Sequence, residues 1–115
     1  SMLDSELPLT VGEWEEWGNP ALPEQYAWMV EYSPYDNVPP AGRRPFILAT
    51  GAVHGPRVVV HEPAKWVARL RARKTDANPL VFSVDLSAGH SGQAGRYQKY
   101  RDTALEYAFI LDQLE

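Results

Sequence analysis

A histidine in a glycine-flanked loop is the residue of this chain best suited to chemistry. His90 lies in the segment Ser87-Ala88-Gly89-His90-Ser91-Gly92, which directly follows a run typical of a β-strand. Such a histidine is often one half of a catalytic pair, serving first as a general base and then as a general acid. The residues around it offer neither a convincing nucleophile nor a carboxylate to orient the ring. The pattern alone therefore leaves a structural role as open as a catalytic one.

The elements that would position His90 begin at residue 45 and alternate between strand and helix. An apolar run at 46–50 predicts a strand that is buried on both faces. A loop over 51–61 follows. Glu62-Pro63 then opens a helix with an acid at its start and proline in its first turn, and this helix should end near Thr75-Asp76.

A second strand and a second helix follow the first pair. Residues 80–86 form another strand-like run, and the loop over 87–95 carries His90. The last helix is predicted from apolar residues spaced three or four apart, which are Tyr97, Tyr100, Ala104, Ala108 and Leu111. The order strand-helix-strand-helix predicts an α/β fold with parallel strands covered by helices.

The two predicted loops should lie at the same edge of the sheet. Ligands of open parallel sheets bind outside the carboxyl ends of the strands, and neighbouring strands lie only about 4.8 Å apart. A site there would contain His90, with His54, Arg57 and His61 as neighbours. Two strands alone make a marginal sheet. We therefore expect the chain either to assemble with copies of itself or to be a piece of a longer protein.

The first 44 residues read as an irregular segment with one short helix. Most of the ten prolines fall before residue 46. The segment 12–20 contains large aromatic residues without a helical or strand period, which predicts a packed loop. Pro23 suits the first turn of a helix and Ser33-Pro34 ends it, so a helix is predicted over 23–32.

Composition limits the chain to one small domain. Of 115 residues, 44% are hydrophobic and 23% are charged, so we treat 1–115 as a single partial domain, irregular over 1–44 and a βαβα unit over 45–115. The net charge of −4 argues against nucleic acid as a partner. No run approaches the ~20 apolar residues of a membrane span. The absence of cysteine excludes disulfides and a thiol nucleophile.

Other chemistries are weaker interpretations of the same residues. His54, His61 and His90 lack the spacing of metal ligands, so we expect no metal. Ser91 is a poor candidate for a nucleophile elbow because Gln93 stands where that motif needs glycine. Phosphate binding by the loop glycines lacks the lysine of a P-loop.

Several long motifs run in colinear order through essentially the whole chain. They are Glu13-Trp14-Glu15-Glu16-Trp17-Gly18-Asn19-Pro20, Tyr32-Ser33-Pro34-Tyr35-Asp36-Asn37-Val38, Glu62-Pro63-Ala64-Lys65-Trp66-Val67 and Ala88-Gly89-His90. These motifs closely resemble the oligopeptidase B group of the prolyl oligopeptidase family of serine peptidases. This resemblance implies that the chain is the C-terminal strand-helix-strand-helix portion of an α/β-hydrolase fold.

The resemblance also implies roles for three positions. His90 matches the catalytic histidine, and Arg57 matches an arginine that binds a peptide carbonyl near the scissile bond. The family pattern Asp-Pro-Arg-Val is replaced by Gly55-Pro56-Arg57-Val58, so Gly55 occupies the position of the catalytic aspartate. Family members carry the serine nucleophile well upstream of the region that this chain resembles.

The resemblance implies a cytoplasmic peptidase without a cofactor that cleaves short peptides after Arg or Lys through an acyl-enzyme. We expect the isolated chain to be inactive, because it lacks the serine and because Gly55 cannot orient His90. The full-length protein would add the rest of the catalytic domain and a propeller domain as partners. We expect the isolated chain to self-associate through the exposed edge of its first strand. The alternative is a truncated or degenerate hydrolase module without catalysis, acting in folding or in protein interaction.

Overall fold

Four helices and two strands are present in the computed structural model, which describes residues 2–55, 58–86 and 96–114. In chain order they are α1 (Thr10–Trp17), α2 (Pro23–Tyr32), β1 (Ile47–Ala52), α3 (His61–Arg73), β2 (Leu80–Asp85) and α4 (Arg96–Leu114). The α/β class and the strand-helix-strand-helix order after residue 45 are confirmed.

The two strands form a parallel pair with a continuous register. Ile47 lies opposite Leu80 at one end, and Ala52 lies opposite Asp85 at the other. β1 therefore extends two residues beyond the predicted run at 46–50. The connection between parallel strands must cross over the sheet, and α3 is the helix that provides this crossover.

The packed core lies between α3 and the sheet. Val67, on the inner face of α3, is only 1% exposed, and Leu70 one turn later is also buried. Glu62 stands in the first turn of α3 and Arg71 and Arg73 in its last, so the charges suit the helix dipole. Apolar spacing and end charges thus account for both the burial and the bounds of this helix.

The predicted loop over 12–20 is wrong, because most of it belongs to α1. Thr10 is buried, and the indole N–H of Trp14 donates to the Met2 carbonyl at 3.1 Å, so these two residues form the packed side of the helix. Gly12 inside the helix weakened the helical pattern in the sequence. Gly18 ends α1 with φ of +99°, a conformation that favours glycine.

The prediction that the first strand is buried on both faces is also wrong. Residues of β1 are half-buried or exposed, and Val81 in β2 is 40% exposed. The chain exposes 8344 Å² in total, whereas a monomeric protein of this mass exposes about 6,300 Å². The physical reason is that, within the described ranges, only two strands form the sheet, so much apolar surface lacks a covering layer.

A hydrogen-bonded cluster fixes the amino ends of both strands. The Asp76 carboxylate accepts the Arg44 backbone N–H at 2.6 Å, the Asn78 backbone N–H at 2.8 Å and the Lys74 ammonium at 3.0 Å. The hydrogen bond from Lys74, with a smaller effect from the Arg44 N–H, lowers the pKa of Asp76 to about 2. Asp76 thereby ties the segment before β1 to the segment before β2.

Within the part of the chain that the structure describes, no helix has the length and apolar character that crossing a membrane requires.

We expect Asp76→Asn to lower the melting temperature at pH 7, because the uncharged side chain binds Lys74 less strongly. Since the pKa of Asp76 is lowered from 3.8 to about 2, its charge stabilises the fold fully above about pH 3.8 and loses this effect as the pH falls through 2. Thermal unfolding of both proteins at pH 7 and at pH 2 measures this difference in melting temperature, which should be much smaller at pH 2, where about half of the folded-state carboxylate is protonated. Asp112→Asn on exposed α4 is the matched control. A difference of equal size at both pH values would contradict this account.

Candidate active site at the carboxyl ends of the strands

Both strands end at the same edge of the sheet, as the sequence predicted. Ala52 lies opposite Asp85, and the Val53 N–H donates to the Asp85 carbonyl at 2.9 Å. The chain therefore leaves β1 at residue 53 and β2 at residue 86 from neighbouring positions. His90 and Arg57, the predicted base and substrate-binding residue, lie outside the described residues. Gly55 is the predicted site position that the structure describes.

Gly55 is buried in a tight turn directly after β1. Its N–H donates to the Ala52 carbonyl at 3.4 Å. A Cβ atom at this position would lie 2.8 Å from the Val58 carbonyl oxygen, closer than real Cβ atoms approach a backbone atom. The Val58 carbonyl therefore occupies the space that a Cβ atom at residue 55 would need. A residue with any side chain requires the backbone around residue 58 to move.

A cavity of about 780 Å³ borders this turn. That volume lies within the range of small-molecule sites. Its wall is formed by the strand ends, the start of α3, the middle of α4 and the segment after α2; the lining residues that carry polar side chains are Ser33, Tyr35, Thr50, Glu62, Ser83, Asp85, Asp102 and Glu106.

The segment after α2 is held against α3 by contacts of an aromatic ring. The Arg69 guanidinium lies 4.4 Å from the centroid of the Tyr35 ring, and the Lys65 ammonium lies 5.3 Å from it. Arg69 also approaches the Asp36 carboxylate to 3.9 Å. The Ser33 hydroxyl donates to Asp36 at 2.7 Å and closes the turn. This wall of the cavity is therefore fixed to the helix that follows the Gly55 turn.

The cavity lining is acidic. Among the described residues that line it, four carry carboxylates and none carries a basic side chain. Partial burial acts to raise the pKa of Glu62, but hydrogen bonding and nearby positive charge, including that of Lys65, hold this pKa below its ordinary value. Glu62 therefore stays ionised at neutral pH.

Glu62, Asp102 and Glu106 were not predicted to belong to one site. Asp102 and Glu106 are four residues apart on α4, a spacing that places them on a shared helix face. That they line the same cavity as Glu62 depends on tertiary packing, for which the sequence carries no local signal.

The histidines that the structure describes do not form a metal site. His61 lies 3.5 Å from Glu62 and is largely exposed, and His54 is exposed in the loop after β1. Within the described ranges, no group of three or more metal-binding side chains comes together. Ser91 and the loop glycines, considered above for other chemistries, lie outside the described residues.

Comparison with known proteins gives consistent matches over the whole chain. The family model for the prolyl oligopeptidase family matches residues 1–115. Protease 2 of Moraxella lacunata is 52% identical over 114 residues, and dipeptidyl aminopeptidase BI of Pseudoxanthomonas mexicana is 44% identical over 114 residues. Each match covers 99% of this chain and 16% of the relative.

Solved structures agree with these relatives. Oligopeptidase B from Leishmania major superimposes with a TM-score of 0.91 at 44% identity, and the match covers 98% of this chain and 16% of that one. Oligopeptidase B from Trypanosoma brucei, in a closed form with covalently bound antipain, gives a TM-score of 0.90 at the same identity and coverage. The chain therefore spans about one sixth of the proteins that it matches.

We expect Gly55→Ala to lower the free energy of unfolding by about 1–3 kcal/mol, because the added methyl group displaces the Val58 carbonyl. Chemical denaturation measures this loss. Gly12→Ala is the matched control: no atom lies within 4 Å of the added methyl group, and alanine inside α1 should stabilise by about 0.5–1 kcal/mol. Unchanged stability of Gly55→Ala would show that the turn is not closed as described.

Proposed function

The chain belongs to the prolyl oligopeptidase family, and from this membership we propose that it supplies the general base and a substrate-binding arginine to a serine oligopeptidase. In this role it is a segment of a longer catalytic unit. The serine nucleophile comes from polypeptide outside these 115 residues.

The observation that supports this proposal most directly is that both strands end at the same edge of the sheet. Arg57 follows β1 by five residues, and His90 follows β2 by five residues. Because Ala52 and Asp85 are paired, both segments start from neighbouring points of one sheet edge. Crevices at such edges are where parallel sheets bind their ligands.

In the proposed reaction, His90 accepts the proton of the serine hydroxyl as the oxygen attacks the peptide carbonyl. It then donates this proton to the leaving amine, so that an acyl-enzyme forms. Water then attacks the acyl carbon while His90 accepts its proton, the bond to the serine oxygen breaks, and His90 returns the proton to that oxygen as the acid product leaves. Arg57 donates hydrogen bonds to a carbonyl of the substrate near the scissile bond and fixes its position.

Gly55 removes the charge that would orient the base. In serine peptidase triads the aspartate fixes the histidine tautomer and stabilises the imidazolium, and its loss costs on the order of 10⁴-fold in turnover. This is about 5 kcal/mol of barrier. Asp85 does not replace it in this proposal, because it lies within the paired part of β2 rather than in the turn after β1. The 115-residue chain alone is inactive for a second reason, the missing serine.

The resemblance also supports finer proposals about the full-length protein. These are a preference for Arg or Lys before the cleaved bond, short peptides as substrates, a propeller domain that filters them and a cytoplasmic location. For the isolated chain, its large exposed surface supports self-association.

A second candidate function is a non-catalytic hydrolase module that acts in folding or protein interaction. The position of the Val58 carbonyl beside Gly55 favours this second function, because a side chain at residue 55 would require the backbone to move.

A chimera tests the catalytic proposal. The upstream part of the Moraxella lacunata relative is joined to this chain, and hydrolysis of short arginyl amides is followed with and without a serine reagent. We expect no turnover by the 115-residue chain and weak turnover by the chimera. Gly55→Asp should raise the chimera's turnover by up to about 10⁴-fold, and His90→Ala should abolish it.

Ser91→Ala is the matched control beside His90 and should leave turnover unchanged. Alanyl and prolyl amides measure the preference for basic residues. Reagent-sensitive turnover by the 115-residue chain alone would contradict the proposal. A folded chimera that stays inactive with aspartate at position 55 would favour the non-catalytic module.

A further inference from the structure

We propose that Tyr35 is a positioning residue for the substrate of the proposed peptidase. Tyr35 and its neighbours Ser33 and Pro34 form one wall of the cavity at the strand ends. The Tyr35 ring contacts two cations of α3, the Arg69 guanidinium at 4.4 Å and the Lys65 ammonium at 5.3 Å from the ring centroid. Through this ring, the wall is held against the helix whose first turn forms the adjacent wall. The inference rests on the proposed function, because it takes the cavity as part of the substrate site.

The helix α3 provides the fixed side of this contact. Val67 and Leu70 are buried where α3 packs on the sheet. Lys65 and Arg69 are four residues apart, a spacing that places both cations on one side of the helix. The Lys65 ammonium also lies 3.8 Å from the carboxylate of Glu62, in the first turn of α3. The cations that the ring contacts are therefore carried by a helix with a buried inner face.

The segment that carries Tyr35 has weaker contacts with α3 besides this ring. Asp36 approaches Arg69 to only 3.9 Å and its side chain is 44% exposed, so this ion pair contributes little. The hydrogen bond from the Ser33 hydroxyl to Asp36 stays within the turn and does not reach α3. Val38, three residues after Tyr35, is buried outside the cavity lining. Among the described contacts along the cavity, the aromatic ring is therefore the one that fixes this segment to α3.

A fixed wall acts on substrate binding rather than on the chemical step. The cavity lies at the carboxyl ends of the strands, where parallel sheets bind their ligands. A loosened wall must be ordered again whenever a substrate binds, and this entropic cost weakens the affinity. The proton transfers assigned to His90 do not involve Tyr35. Loss of the ring should therefore raise KM and leave kcat nearly unchanged.

Steady-state kinetics of the chimera that carries Gly55→Asp test this role. Tyr35→Leu removes the ring and should raise KM for a short arginyl amide by about 3- to 10-fold, with kcat changed by less than about twofold. Tyr35→Phe keeps the ring and should retain both constants. Arg69→Met removes a cation from the ring and should raise KM in the same direction. Tyr107→Leu, on an exposed part of α4, is the matched control and should change neither constant.

NMR relaxation of the 115-residue chain separates this inference from the proposed function. Backbone order parameters at 33 and 35–37 should fall in Tyr35→Leu and stay unchanged in Tyr35→Phe, whereas those at 65–70 should hold in both and show that α3 is folded. Unchanged order parameters or an unchanged KM in Tyr35→Leu would overturn the inference, and so would a Tyr35→Phe variant that behaves like Tyr35→Leu. An inactive Gly55→Asp chimera would count against the proposed function, and the order parameters would then decide whether Tyr35 fixes the wall.

Discussion

The parallel pairing of β1 with β2 is the constraint on which the rest of this structure depends. Parallel strands cannot be joined by a tight turn, so the chain between them must cross the sheet, and α3 forms that crossing. The crossing helix provides Val67 and Leu70, which are themselves buried where α3 packs on the sheet. The same pairing ends both strands together. The location of the candidate site is thus a consequence of topology rather than of any single side chain.

Under the proposed function, two different deficits separate this arrangement from a complete catalytic site. The first deficit concerns groups outside this chain. The described sheet has two strands, so its apolar faces stay uncovered. The serine nucleophile is also supplied from elsewhere in this proposal. The second deficit lies within the chain, at Gly55, where the Val58 carbonyl oxygen occupies the space that a Cβ atom would need. Added polypeptide would repair the first deficit but not the second.

The elements with strong local signals were predictable from sequence. α2 has its predicted bounds because Pro23 starts a helix and Ser33-Pro34 ends one. α1 was missed because Gly12 and the nearby aromatic residues obscured its period. The acidic cavity was also missed, since Glu62 and Asp102 are far apart in sequence and line one cavity only in the fold. The closeness of Gly55 to Val58 is a backbone distance that no residue pattern encodes.

The register of the strand pair tests the account most directly. In isotopically labelled chain, scalar couplings across hydrogen bonds connect each amide nitrogen with the carbonyl carbon of its acceptor. The account predicts couplings from the Ile47 amide to the Pro79 carbonyl and from the Val53 amide to the Asp85 carbonyl. Couplings displaced by one or more residues, or an antiparallel pattern, would contradict it, because the segments that carry Gly55 and His90 would then no longer leave the sheet side by side.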